Sequence, residues 1–230
     1  MTDRLEQLRK QGVAMLPGLA PQKVQKVMAY LHSRPVYPGC HVRNGQGIGA
    51  SGPWEANLNA NVVCWHHADV IRAPHLLEFA LAQTDMAALH LGVETPILYS
   101  MNVFCTRPEE AVRPDIQDWH VDRDDTKFIP LFIYLTDVGF DGAQEIMLDA
   151  DHVSQIVGPA GTAFFSDTMR MHRGLKPQHK ERIIFWARWG VSARPPAYEW
   201  DDLHPINKSG LGDRYPTDPR LQKSLRLLVI

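Results

Sequence analysis

The sequence predicts an α+β domain whose core is a sandwich or barrel of strands. Apolar residues recur at helical spacing through roughly the first 90 positions, and short runs rich in Ile, Phe, Tyr, Val and Trp, separated by turn signals, follow them. The chain has 230 residues, 44% apolar and 22% charged, the composition of a soluble protein with one core. We therefore read residues 1–230 as a single domain, with a helical part to about residue 92, a strand-rich core over about 96–191 and a proline-rich tail from 192 to 230.

Leu5 and Leu8 stand at helical spacing in residues 2–11, Gly12 stops that helix, and Val13–Leu16 is predicted as a short strand ended by Pro17 and Gly18. A second helix over 21–32 begins with proline at its first position and carries one stripe of Val24, Val27, Met28 and Leu31. From Pro35 to about Asn61 the chain is rich in Gly, Pro and Asn and has no period, so a long loop is expected, with Trp54 favouring an ordered one. Gly47 to Gly52 reads GIGASG and satisfies G-x-G-x-x-G, but no buried strand precedes it and Pro53-Trp54 follows, so the dinucleotide reading fails on context. Short helices are predicted over 75–82 and 84–91, and strands over 97–105, 128–136, 162–166 and 182–191. The tail, with Pro195, Pro196, Pro205, Pro216 and Pro219, is expected to wrap the surface.

A formal net charge of −2 without like-charge runs gives no basic groove or patch. The expected partner is a small molecule, with neither nucleic acid nor membrane, and oligomeric state is left open. Cys40, Cys64 and Cys105 lie far apart and are odd in number, which argues against a disulfide framework and a cysteine zinc site and points to a reducing cytoplasm. The N-terminus has mixed charge and no apolar segment, so no signal peptide or anchor is expected.

Residues 119–125 read WHVDRDD. On an extended segment His120 and Asp122 project to the same side. The tripeptide alone decides nothing, because His67 and Asp69 repeat it. A facial triad for non-haem Fe(II) needs two imidazoles and one carboxylate with the remaining positions open. His172, with 49 residues between it and Asp122, offers the second imidazole from a neighbouring strand. Ten residues further, Arg182 opens RIIFWARWGV. A dicarboxylate such as 2-oxoglutarate chelates iron through its 2-oxo acid end, and its far carboxylate needs a partner that an arginine supplies with two parallel hydrogen bonds.

These residues, with the N-terminal QLRKQGVAMLPGLAPQKVQKVMAYL, resemble the phytanoyl-CoA dioxygenase family of Fe(II)/2-oxoglutarate oxygenases. The resemblance covers roughly residues 5–190 and implies a double-stranded β-helix, a jelly-roll or cupin-like core, with flanking N-terminal helices. It implies that His120, Asp122 and His172 hold Fe(II), that Arg182 anchors 2-oxoglutarate, and that O2 is the oxidant in a hydroxylation or related oxidation of a small-molecule substrate. Two positions depart from the family pattern. Gly174 replaces a polar residue two places after the distal histidine, and Asp149-Ala150-Asp151-His152 replaces a P-G-S-H turn. Asp122 argues against halogenation, which relatives with a small residue at that position perform.

Alternation along 182–191 puts Arg188 on the face of Arg182, where it meets an anionic substrate group or stands exposed at the barrel end. Asn102 shares a face with Leu98, Ser100 and Phe104 and is a candidate contact for cosubstrate or substrate; Tyr99, a weaker candidate, falls on the opposite face. Trp54, Asn57 and Asn59 are candidates to close over substrate. In the rival register His67 and Asp69 join His120, and no arginine follows at the family distance; His66 and His67 are otherwise expected in a loop near the site mouth or simply exposed. From other classes, a non-catalytic cupin-like protein that binds a small ligand or carbohydrate is the alternative, and a zinc hydrolase has no use for the arginine.

Overall fold

The computed structural model describes residues 2–39, 51–54, 60–108, 118–196 and 205–230. The helical part holds α1 (Thr2–Gln11), β1 (Val13–Leu16), α2 (Pro21–His32), β2 (Val36–Pro38), β3 (Val62–Trp65), α3 (His67–Arg72), α4 (Leu76–Leu81) and α5 (Thr84–Leu91). There follow β4 (Ile97–Thr106), β5 (Phe128–Tyr134), β6 (Gln144–Met147), β7 (Val153–Ile156), β8 (Ala163–Ser166), β9 (His172–Gly174) and β10 (Arg182–Gly190), and then α6 (Pro219–Leu225). Gly12 ends α1 at φ +70°, a left-handed turn that glycine makes without strain.

Seven strands form one antiparallel sheet in the order β1-β8-β5-β10-β4-β3-β2, and three form a second in the order β7-β6-β9. Every residue of β4 and β5 is buried, because the wide sheet is covered on both faces. On one face Leu8, Val27, Leu31, Ile71 and Leu76 from the helices join Met101, Val103, Ile133 and Phe185 in a single apolar cluster. On the other, Phe104, Phe132, Phe164 and Ile184 pack with Ile146 and Ile156 of the narrow sheet. Two covered faces turn the usual in/out alternation into the nearly continuous apolar runs seen in the sequence.

Polar side chains also tie the sheets together. The Tyr134 hydroxyl on β5 donates to the Ile156 carbonyl at 2.7 Å and accepts from the Gln144 amide at 3.1 Å. Arg170, in the turn before β9, donates to the Arg9 carbonyl at 2.7 Å and the Lys10 carbonyl at 3.3 Å, capping the negative end of α1.

Several expectations are corrected here. The long loop contains β2, paired with β3, while 40–50 and 55–59, which include Cys40, most of the glycine run, Asn57 and Asn59, lie outside the described residues. His67 opens α3 with His66 at its N-cap, whose Nδ1 accepts from the Ala68 amide, so the pair is not in a loop. The tail does more than cover the surface: Leu211, Leu225, Leu228 and Val229 belong to the helix-side core, and Ile206 bridges Val229 in parallel. No described helix is long and apolar enough to cross a membrane.

Candidate metal centre

WHVD is extended but is not a full strand. His120 forms an isolated antiparallel bridge with His172, amide to carbonyl at 3.0 Å one way and 2.9 Å the other, and the Asp122 amide donates to the Thr168 carbonyl at 2.9 Å. The bridge adds the segment to the free side of β9, which places two ligand-bearing residues on one backbone pairing. Asp122 follows on the same side, two residues along.

His120 Nε2 lies 3.8 Å from Asp122 Oδ1, and His172 Nε2 lies 3.7 Å from Asp122 Oδ2. One ligand atom from each of the three residues falls within 4.8 Å of the others, and among the described residues no other group of His, Cys, Asp and Glu does so. Ligands about 2.1 Å from a shared ion stand roughly 3–3.5 Å apart, so the triad closes on an ion with a small side-chain adjustment. Both ring orientations are fixed from behind. His120 Nδ1 lies 2.8 Å from the Asp118 carbonyl and His172 Nδ1 lies 3.0 Å from the Arg170 carbonyl. A carbonyl only accepts, so each Nδ1 carries the proton and each Nε2 lone pair faces the triad. Burial lowers the His172 pKa, against the pull of Asp122, and favours the neutral imidazole that a metal requires. The side chain of His172 is 5% exposed, those of His120 and Asp122 34% and 23%, so the triad is closed at its base and open at its mouth.

Arg182, 3% exposed, opens β10 and sets its guanidinium beside Gly174 at the far end of β9. Its Nη1 donates to the Gly142 carbonyl at 2.7 Å and the Leu175 carbonyl at 3.1 Å, just before β6 and just after β9 at one end of the narrow sheet. A Cβ on Gly174 would sit 2.8 Å from Arg182 Nη2 and 3.1 Å from Gln144 Oε1. The glycine therefore makes room for the guanidinium, which explains the departure noted at this position. His172 and Gly174 point to one side of β9 and are separated by about 6.6 Å along the strand, the reach of a five-carbon diacid.

The wide sheet supplies the facing wall. Trp186 is the only partly exposed residue of β10; it meets Phe104 edge-on at 5.3 Å and lies 6.2 Å from Phe132. In the amide orientation that satisfies its neighbours, Asn102 accepts from Trp186 Nε1 and from Ser100 Oγ, each at 2.8 Å. Asn102 is thus placed on the inner face as expected.

Tyr99 lies in the helix-side cluster with Met101 and Val103, opposite Asn102 as alternation predicted, whereas Leu98, expected on the Asn102 face, joins the helix side as well. The β4–β10 pairing slips between Arg188↔Ser100 and Trp189↔Leu98, skipping Tyr99, and the Tyr99 hydroxyl donates to Asp124 Oδ2 at 2.9 Å. Arg188 is buried, at 5%, rather than exposed at a barrel end, and its charge meets Asp124. Trp54 is taken up by a stack, 4.7 Å from His32 and 5.1 Å from Trp65, on the helix side. In the rival pair, Asp69 faces Arg34 at 3.9 Å, and two residues apart on α3 do not share a face. Asp124 and Asp125 were missed, although two further carboxylates directly after a ligand strand were in plain sight.

No family model matches the chain, and no curated protein matches its sequence. Solved structures do share its fold. The non-haem α-ketoglutarate-dependent carbocyclase SnoK of nogalamycin biosynthesis is 14% identical with a TM-score of 0.59, over 85% of each chain. AviO1 from Streptomyces viridochromogenes Tue57 is 18% identical with a TM-score of 0.57, over 85% of this chain and 97% of its own. HygX from Streptomyces hygroscopicus, solved with nickel and 2-oxoglutarate bound, is 12% identical with a TM-score of 0.54, over 84% and 87%.

Proposed function

We propose that this chain is an Fe(II)- and 2-oxoglutarate-dependent oxygenase of the phytanoyl-CoA dioxygenase type, a single domain that hydroxylates an unactivated C–H bond of a small-molecule metabolite in a reducing cytoplasm. The observation that carries the reading is the line from the triad to Arg182. Two imidazoles with Nε2 facing one carboxylate stand at one end of β9, and a buried guanidinium stands one strand repeat away. The two antiparallel sheets with a shared apolar interior support a double-stranded β-helix, as does the likeness to SnoK, AviO1 and HygX.

In this reading His120, Asp122 and His172 hold Fe(II), which with 2-oxoglutarate and O2 supplies an oxidative decarboxylation coupled to substrate oxidation. Arg182 binds the far carboxylate of 2-oxoglutarate through two parallel hydrogen bonds. The carbonyls of Asp118 and Arg170 keep both imidazoles in the ligating tautomer. Phe104, Phe132 and Phe164 exclude water from the floor, and Asn102 fixes the indole of Trp186 on the wall against which substrate lies.

The test is succinate release from 2-oxoglutarate in air with Fe(II). Slow, iron-dependent release is expected from the wild type and none from His172→Ala. Arg182→Ala is expected to require at least about 30-fold more 2-oxoglutarate, the low end for removing one partner of a buried charge pair. A non-catalytic cupin-like binder releases no succinate in any variant.

A further inference from the structure

The residues immediately after Asp122 form a second structure that the metal and cosubstrate reading does not use. Arg123 is exposed, Asp124 and Asp125 are each 7% exposed, and Thr126 and Lys127 return to solvent before β5 begins. Two consecutive buried carboxylates in a segment without regular strand structure require partners, and both find them on β10 or just beyond its end.

Asp124 Oδ2 accepts from the Tyr99 hydroxyl at 2.9 Å and from Arg188 Nη1 in a close ion pair. Arg188 Nη2 reaches Ser100 Oγ at 3.2 Å, and its guanidinium lies 4.3 Å from the Trp186 ring and 5.5 Å from that of Tyr99. Asp125 Oδ2 accepts the amides of Val191 and Ser192, each at 2.8 Å. Its Oδ1 accepts the Ser192 hydroxyl and, at 2.7 Å, the Thr126 amide. The carboxylate lies so close to Gly190 that a Cβ there would sit 2.4 Å from Oδ2. Side chains here make the cross-connections that a β-ladder makes elsewhere.

We propose that Asp124 and Asp125 are positioning residues that clamp the segment bearing His120 and Asp122 to the far end of β10, and so set Asp122 relative to His172. The proposal rests on the reading of His120, Asp122 and His172 as a metal site. Its physical basis is that the ligand segment has only short backbone pairing of its own, through His120 to β9 and through the Asp122 amide to Thr168. Without the clamp a single backbone hydrogen bond, from the Asp122 amide to Thr168, holds the carboxylate's residue in place. β10 begins with Arg182 and ends at the clamp, so one strand, paired on both edges, sets both the cosubstrate anchor and the ligand segment. Tyr99 enters the same device through the register slip in β4. The slip has a role: it brings a hydroxyl to the carboxylate that also holds Arg188.

The clamp and the metal are separable by experiment. The metal-free protein is titrated anaerobically with Co(II), whose visible ligand-field spectrum reports coordination, in the wild type, Asp124→Asn, Tyr99→Phe and Leu31→Ala. Asp124→Asn keeps the shape and removes the charge facing Arg188. Tyr99→Phe removes one hydroxyl and no charge, so it serves even where Asp124→Asn folds poorly. Leu31→Ala opens a cavity in the helix-side cluster and controls for lost stability alone.

We expect Co(II) affinity to fall by about 10- to 100-fold in Asp124→Asn, with an altered spectrum, as for other residues that orient metal ligands. Tyr99→Phe falls less, in the same direction, and Leu31→Ala keeps the wild-type affinity and spectrum. Unchanged Co(II) binding in folded Tyr99→Phe and Asp124→Asn overturns the proposal, as does an equal loss in Leu31→Ala. A wild type that binds no Co(II) refutes the metal reading itself, a different and recognisable result.

Discussion

In the seven-stranded sheet every residue of β4 and β5 is buried, whereas in the three-stranded sheet Val153 and Gln155 of β7 stand in solvent and β9 is three residues long. The wide sheet is held by apolar packing on both faces. The narrow sheet and the WHVD segment beside it are held by directed contacts: the His120–His172 bridge, the Tyr134 hydroxyl, Arg182 and the two aspartates. All three candidate ligands stand on this thinly supported side, where Asp122 is partly exposed. The contrast teaches that the doubly covered sheet serves as the ruler and the small sheet carries the candidate metal ligands.

The largest effect is expected in the wide sheet. Phe185, fully buried among the helix-side residues, should cost about 3–5 kcal/mol as Phe185→Ala, read by denaturant unfolding, with metal affinity retained while the protein stays folded. A loss of metal affinity without a loss of stability would break the comparison. Next is Gly174→Ala, whose Cβ collides with the end of Arg182. Overpacking of this kind costs about 1–3 kcal/mol. We expect it to appear as about a tenfold or larger rise in the 2-oxoglutarate needed for half-maximal succinate release, with Fe(II) affinity preserved. Val153→Thr on the exposed edge strand should change stability by no more than about 0.5 kcal/mol.

A pH effect of definite sign is the smallest. Burial lowers the pKa of His90 on α5, against the pull of Asp167, and its Nδ1 has no hydrogen-bond partner. The unfolded histidine titrates near 6.5 and the folded one below that, so the unfolded state binds more protons in between. Stability therefore falls as pH drops below about 6.5 and levels off below the folded value. His90→Gln should flatten that slope in urea unfolding followed from pH 7 to 5.

What the sequence made legible follows the same division. β4, β5, β8 and β10 announce themselves by continuous Ile, Phe, Tyr and Trp, because burial on two faces leaves few polar positions. β6, β7 and β9 are three or four residues long and, β7 apart, show no exposed position to alternate with the buried ones, too little for a period. α3 was hidden because HHADVIR begins with two histidines and has a single turn of apolar residues. His120, Asp122, His172 and Arg182 stand out by residue type, spacing and the family resemblance; the fold brings the first three together and sets Arg182 beside Gly174, two residues from His172. The opposite face of Tyr99 is as alternation predicts, but Leu98 departs from the Asn102 face because a register slip is a property of two paired strands and leaves no mark on either alone. Gly174 stood out, yet only the position of Arg182 shows that space is the reason for it.

The most direct measurement of the central claim is an anaerobic titration of the metal-free protein with Fe(II) and then 2-oxoglutarate, following the weak visible charge-transfer band of an iron-chelated 2-oxo acid. The band should grow to one equivalent in the wild type, be absent in His172→Ala, and require much more 2-oxoglutarate in Arg182→Ala. A wild type that binds Fe(II) and 2-oxoglutarate without the band, or binds neither, would contradict the claim and bring a non-catalytic binding role to the front.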